Sequence, residues 1–407
     1  MFSFILMISI AVFGANSLLL SPILTNVASD LGTVPFRIAW AITAYNGATA
    51  LSALFLAPFI DKWGLVKSIK WALMTLILGT LLAGVSFHWV MLTMGQLLAG
   101  LAAGVALPAI YALAPMIAPK GEEAKIVGRV LTGWSVALVA GIPLGTFLTD
   151  QFGWRIVYYV LATISAFALF SYYLRSHLML HIQPALSPKA PRATFLKNLF
   201  SPFTIASVPS LLAINFLYMT AFYGIYTYVP TYLKVLRGIS ATEAGAIILF
   251  YGIGFGIGSF MDRFIDRLGA GMALLSSLLA ITGVYLLIPL DFVTGQFVYG
   301  IFLLWGLVNH FGLNCVIVLL GQAKTLNKGR VMGMNSAITY LGGSMGSAIF
   351  GMIYHSASFL TICIIAAGLT ALAAFISGWQ RIRNADLSLK GSWLKTSSSR
   401  EKSEEVI

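Results

Sequence analysis

One titratable side chain stands near the middle of a long apolar run: His310, within Trp305-Gly306-Leu307-Val308-Asn309-His310-Phe311-Gly312-Leu313-Asn314. Imidazole titrates near neutral pH, so a histidine among apolar residues could carry a proton or bond a solute. Asn314 follows at i+4 and shares its helical face. Asn309 precedes it. The competing reading is a neutral histidine satisfied inside a helical bundle. None of the 13 acidic residues falls mid-run, and Asp262 sits only at a run's edge. Carboxylates occur instead in two short turns beside bases, Asp61-Lys62-Trp63-Gly64 and Asp266-Arg267-Leu268-Gly269. Such a carboxylate can meet a neighbouring helix N-terminus and a basic side chain, and the glycine permits a tight turn. That combination reads as a latch. Asn16, Gln96, Tyr111, Asn215 and Tyr218 are polar groups within other apolar runs, as are Tyr45, Asn46, Tyr223, Tyr251, Asn335 and Tyr340. Each could line a solute path or hold helices together.

The sequence lacks a G-x-x-x-x-G-K-[ST] phosphate loop and an H-E-x-x-H zinc motif. Gly252, Gly254, Gly256 and Gly258 imitate a nucleotide loop but lie inside an apolar run, where helix packing explains them better. Cys315 and Cys363 also lie inside such runs and read as small buried residues. No metal or cofactor is expected.

The elements that must position these groups follow from composition. The chain has 407 residues, 59% hydrophobic and 9% charged, with a mean hydropathy of +0.90. Soluble domains are about 25% charged, so a soluble enzyme, a disordered chain and a disulfide scaffold are excluded. About 20 apolar residues cross a bilayer as a helix. Twelve such runs are present: 4–27, 37–60, 69–86, 90–118, 127–149, 153–175, 205–231, 241–261, 270–290, 293–320, 331–354 and 357–379. They are too long and too even for β-barrel strands. The first begins almost at Met1 but lacks a basic leader and a small-residue cleavage site, so it reads as a retained span rather than a signal peptide.

The formal charge is +12, and its placement decides its meaning. Of 25 Lys and Arg, only Arg37, Arg155, Lys234 and Arg237 fall in the loops on one side, where Asp30, Asp150, Glu243 and Asp291 balance them. The whole excess lies on the side that carries both termini. Bases are retained in the cytoplasm, so the excess predicts cytoplasmic termini rather than a nucleic-acid surface. Residues 176–204, with Pro184, Pro188, Pro191 and Pro202, form a basic linker between halves spanning 1–175 and 205–379. The charged, serine-rich tail, 380–407, is expected to be without structure.

The halves read as repeats. Asp61 and Asp266 lie 205 positions apart, while Gly128-Arg129 and Gly329-Arg330 lie 201 apart, as do Gly141 and Gly342, and Gly145 and Gly346. Six-helix repeats with a site between them are a transporter architecture. The chain resembles the major facilitator superfamily over about residues 1–385. The turn Asp61-Lys62-Trp63-Gly64 matches part of the pattern Gly-x-x-x-Asp-Arg-x-Gly-Arg-Arg, with Ala57 at the leading glycine and without the paired arginines. Gly133 and Gly141-Ile142-Pro143-Leu144-Gly145 resemble the antiporter motif of the drug and metabolite efflux branches. Gly153-Trp154-Arg155 is similar to the arabinose-efflux-permease-like group. Gly100 and Gly104 resemble the fourth span of the proton-coupled drug-efflux branch, but Gln96 stands where that branch carries arginine.

This resemblance implies an all-α polytopic membrane protein of twelve helices in two six-helix pseudo-repeats. It implies a gate built from Asp61, Lys62, Gly64, Arg129, Asp266, Arg267, Gly269 and Arg330. Spans one, four, seven and ten would line the cavity, which favours Asn16, Tyr111, Asn215, Tyr218 and Trp305 there, alongside His310 and its neighbours. Tyr226, Tyr228 and Tyr232 are expected in the interfacial aromatic belt. The expected function is export of a small organic solute by alternating access, coupled to protons. Import or facilitated movement of a metabolite on the same fold is the alternative. A monomer in the cell (inner) membrane is expected, with lipid, solute and protons as its partners.

Overall fold

Without water, every backbone N–H and C=O must find a partner inside its own segment, which makes helices the answer to these apolar runs. The computed structural model describes residues 2–119, 122–175, 200–261, 263–290, 296–323 and 328–404. Of these, the side chains of Pro58, Asp61, Glu123, Ala124, Arg175, Arg263, Phe264, Asp266, Lys328 and 382–404 lie outside the description. The first half holds α1 (Phe2–Asp30), α2 (Pro35–Phe55), α3 (Leu65–Gly84), α4 (Trp89–Met116), α5 and α6 (Arg155–Arg175). Within α5, Glu123–Val136 leads through a π-helical turn at Ala137–Gly141 into Ile142–Phe152. The second half holds α7 (Val208–Arg237), α8 (Ala241–Phe260), α9 (Ala270–Leu287), α10 (Phe297–Gly321), α11 (Lys328–Ser356) and α12 (Phe359–Glu404). Among the described residues there is no strand, and eleven helices are long and apolar enough to cross a membrane. The other long helix, α11, is rich in glycine and serine.

The expected spans match these helices to within a few residues at most ends. The linker prediction falls largely on 176–199, outside the described residues. The backbone of α12 continues as helix into the segment read as a structureless tail. We call the face at the ends of α2, α4 and α10 the basic face, and the opposite one the far face.

Close backbone approach replaces bulky side chains where helices cross. In the first half a Cβ on Gly79 would meet the Gly95 carbonyl at 2.6 Å, which pins α3 to α4. Gly100 and Gly104 rest on α2 at Tyr45 and Thr49, and Gly133 and Gly145 rest on α1. In the second half Gly254 and Gly258 press on α10, while Gly342 and Gly346 press on α7. Packing therefore accounts for three glycines of the α8 run, with Gly252 facing Leu138 of the first half, while a Cβ on Gly256 would meet open space. Small residues let helices gain dispersion contacts where lipid offers no hydrophobic drive.

One expectation is corrected. Tyr226 and Tyr228 do not lie in an interfacial belt: they are 2% and 1% exposed. Helix α7 runs to Arg237, six residues past the expected end at 231, so these tyrosines sit deeper than the sequence implied. The Tyr228 hydroxyl donates to the Ser347 carbonyl at 2.8 Å, as a buried phenol requires. Tyr232 stacks on Phe359 with ring centroids 4.0 Å apart.

Candidate functional site

The two halves meet along α2–α11 and α5–α8, and the bonds between them gather toward the far face. Ser21 donates to the Tyr226 carbonyl at 2.6 Å, and Lys234 donates to Asn26 Oδ1 at 2.8 Å. The Thr43 and Ser347 hydroxyls lie 2.9 Å apart, and Ser344 donates to the Thr43 carbonyl at 3.0 Å. Phe36 stacks on His355 at 5.7 Å. Asp150 at the end of α5 accepts from the first residues of α8. Among the described residues, α4 and α10 make no extended contact toward the basic face. The molecule is thus closed on the far face. Above this closure lies a cleft of about 610 Å³ lined by Asn26, Asp30, Trp154 and Lys234.

The basic-face turns are built alike. The Gly64 N–H donates to the Ile60 carbonyl at 2.7 Å, and the Gly269 N–H to the Ile265 carbonyl at 2.8 Å. Both glycines hold positive φ, +88° and +77°, with no atom near a would-be Cβ, so conformation rather than space demands glycine. The side chains of Asp61 and Asp266, the acids of the expected latch, lie outside the described residues. Lys62, Arg129, Arg267 and Arg330 are exposed, and Arg129 reaches Ser3 Oγ at 3.5 Å. No bond among the described residues joins these four bases to one another.

The antiporter-like stretch has a definite geometry. Pro143 cannot donate to the carbonyl four residues back, and the π turn at Ala137–Gly141 ends two residues before it. Gly14 of α1 packs on the Trp134 ring and Ala137, while Gly141 faces Ala15 and Gly145 faces Leu19. A proline after a π turn on a glycine-lined face makes α5 the helix with a built-in irregularity. After it, Trp154 donates to Asp30 at 3.1 Å. Arg155 pairs with Asp30 and also donates to the Ser86 carbonyl at 3.0 Å. The Gly153-Trp154-Arg155 stretch therefore ties the far rim of the first half.

Most candidate cavity residues bond within their own half. In the first half Asn16 donates to Gln96 Oε1 and Gln96 donates to the Tyr158 hydroxyl, each at 3.0 Å. This chain joins α1, α4 and α6 without a charge. In the second half the Tyr218 hydroxyl donates to Asn309, and Asn309 Nδ2 donates to the Tyr251 hydroxyl at 2.7 Å. Asn215 bonds Asn335 Oδ1 at 2.9 Å and Thr339 Oγ1 at 2.8 Å. Trp305 is fully buried among Phe222, Tyr251, Tyr285 and Phe302. Three candidates keep open surface. Tyr111 is 36% exposed and accepts from Trp134 Nε1 at 2.8 Å. His310 and Asn314 are half-buried. The His310 ring meets the edge of Phe255 at 5.0 Å and lies over Gly258 of α8. Trp134, Tyr158, Thr339 and Asp150 belong to this picture but escaped the sequence reading, because their partners lie on other helices. Among the described residues no group of His, Cys, Asp and Glu is placed to hold a metal ion.

A sequence model of the Major Facilitator Superfamily matches residues 6–325. The chain is 28% identical over 378 residues to an uncharacterized MFS-type transporter, YwfA, of Bacillus subtilis (strain 168), covering 91% of this chain and 90% of that one. A second relative from the same organism, YceJ, is 24% identical over 85% of this chain and 87% of its own length. Among solved structures, the fold is similar to the human organic anion transporter MFSD10 (TM-score 0.69, 16% identity, 92% of this chain and 98% of that one). It is also similar to a D-xylose-proton symporter (TM-score 0.71, 13% identity, 92% and 96%).

Proposed function

Because the chain belongs to the Major Facilitator Superfamily and is a multi-pass membrane transporter rather than an enzyme, we propose that it exports a small neutral or zwitterionic organic solute by alternating access, in exchange for protons. The observation that carries export is α5: Gly133, Gly141 and Gly145 laid along α1, a π turn, then Pro143, in the pattern of the antiporter branches. A bendable helix in close contact with its neighbour suits the rocking of one half against the other. In this reading the basic face is cytoplasmic, both termini lie inside, and the closed far face points outward.

The solute class follows from the groups available. Tyrosines, asparagines and Trp134 surround the centre, and no carboxylate occurs mid-span, so a strongly cationic solute would lack a partner. His310 is the proton-carrying candidate: it is the one imidazole near the middle of a spanning helix, and it is half-buried. The charges around Lys62, Arg129, Arg267 and Arg330 act as the cytoplasmic latch with Asp61 and Asp266 when that face closes. Import on the same fold is the second reading, favoured by Gln96 at the antiporter branch's arginine position. A thermal-shift screen of neutral and zwitterionic metabolites on the purified protein identifies a ligand. Counterflow of that ligand in inside-out and right-side-out vesicles then separates the two readings: export predicts concentrative uptake into the inside-out set only.

A further inference from the structure

The start of α8 is completed by a side chain of the other half. Its first N–H groups have no partner within the helix. Ser240 and Glu243 form a reciprocal capping box: the Ser240 hydroxyl accepts from the Glu243 N–H at 3.1 Å, and the Glu243 carboxylate accepts from the Ser240 N–H at 2.8 Å. That leaves the N–H groups of Ala241 and Thr242 between them. Asp150, at the far end of α5, takes both. Its carboxylate accepts from the Ala241 N–H at 3.3 Å, the Thr242 N–H at 2.7 Å and the Thr242 hydroxyl at 2.6 Å. One turn earlier on α5, Thr146 packs on Gly245 of α8, so the two helices are in van der Waals contact beneath the carboxylate.

We propose that Asp150 is the far-face latch: its carboxylate caps α8 across the two halves and holds the far face closed. Opening that face requires α5 and α8 to part, which breaks all three bonds and exposes two orphan N–H groups at a helix end that favours negative charge. Ser240 and Glu243 cannot replace Asp150, because they already satisfy each other. The latch is this chain's own device and works whichever way the solute travels. It is also distinct from the basic-face turns, which lie at the other end of the bundle.

The test measures distance rather than transport, so it needs no ligand. Spin labels at Phe87→Cys and Leu236→Cys report the far-face gap between halves. Both positions are exposed, at 79% and 52%, and the native Cys315 and Cys363 are buried. In the labelled full-length protein in nanodiscs, Asp150→Asn is expected to raise the open-to-closed ratio about threefold, and Asp150→Ala about tenfold, the range expected for losing a charged helix cap. Thr242→Val, which removes only the hydroxyl bond, is expected to shift it by less than Asp150→Asn. Melting temperatures are read alongside. A variant with a lowered melting point and an unchanged distance distribution would mean that Asp150 merely stabilises the fold. Identical distributions in all the Asp150 variants would equally overturn the latch.

Discussion

The two halves build one helix crossing twice and finish it differently. Gly100 rests on the Tyr45 carbonyl in the first half, and Gly306 rests on the Tyr251 carbonyl in the second, each pair displaced by 206 positions. One turn on, the first half places Gly104 of α4 against Ser52 of α2. The second half places His310 of α10 against Gly258 of α8. The glycine has changed helices, and the room it leaves holds an imidazole. The same displacement sets Ala99 opposite Trp305 and Ala103 opposite Asn309. One half is therefore a small-residue scaffold with a neutral Asn16–Gln96–Tyr158 thread, while the other carries the aromatic cluster and the titratable group. The repeat supplies the architecture, and the proposed proton site falls where the second half departs from it.

The largest effect should come from breaking the shared crossing. Gly100→Leu and Gly306→Leu each drive a side chain into a backbone carbonyl, costing about 3 kcal/mol or more. Yield and melting temperature should fall sharply and alike in both. A large loss in one half only would end the equivalence. Next comes the asymmetric position: His310→Ala should lower transport roughly tenfold, about 1.4 kcal/mol, and flatten its pH dependence. Wild-type rate and pH profile in that variant would remove His310 from the mechanism. Gly64→Ala and Gly269→Ala should each cost about 1–2 kcal/mol, because alanine resists positive φ, and paired melting curves check whether the two turns respond equally. Smallest is Gln96→Ala, expected at about 1.2 kcal/mol for two lost interhelical bonds at about 0.6 kcal/mol each, with the pH dependence of transport unchanged.

Much of this architecture was legible because lipid imposes simple rules. Long apolar runs became helices, and the matched pairs Gly141 with Gly342 and Gly145 with Gly346 proved to pack α5 on α1 and α11 on α7. The paired turns at Gly64 and Gly269 were readable because only glycine holds their backbone comfortably. Side-chain destinations were less legible. By sequence Asn16, Gln96, Asn215, Tyr218 and Asn309 could line a path or hold helices together, and each finds partners inside its own half. A buried amide in a dry bundle bonds whatever is nearest, and sequence spacing does not say which helix that is. In the sequence Asp150 reads only as a loop charge, since its partners lie 92 positions away in the other half. Its one local signal was the Ser240–Glu243 box, which marks a helix start but not what completes it.

Proton-driven export is tested most directly in inside-out vesicles with an acidic lumen, using a ligand identified by thermal shift. The solute is expected to accumulate in the lumen against its gradient, a protonophore to abolish the accumulation, and His310→Ala to reduce it about tenfold. Accumulation confined to right-side-out vesicles, or accumulation indifferent to the protonophore, would contradict proton-driven export.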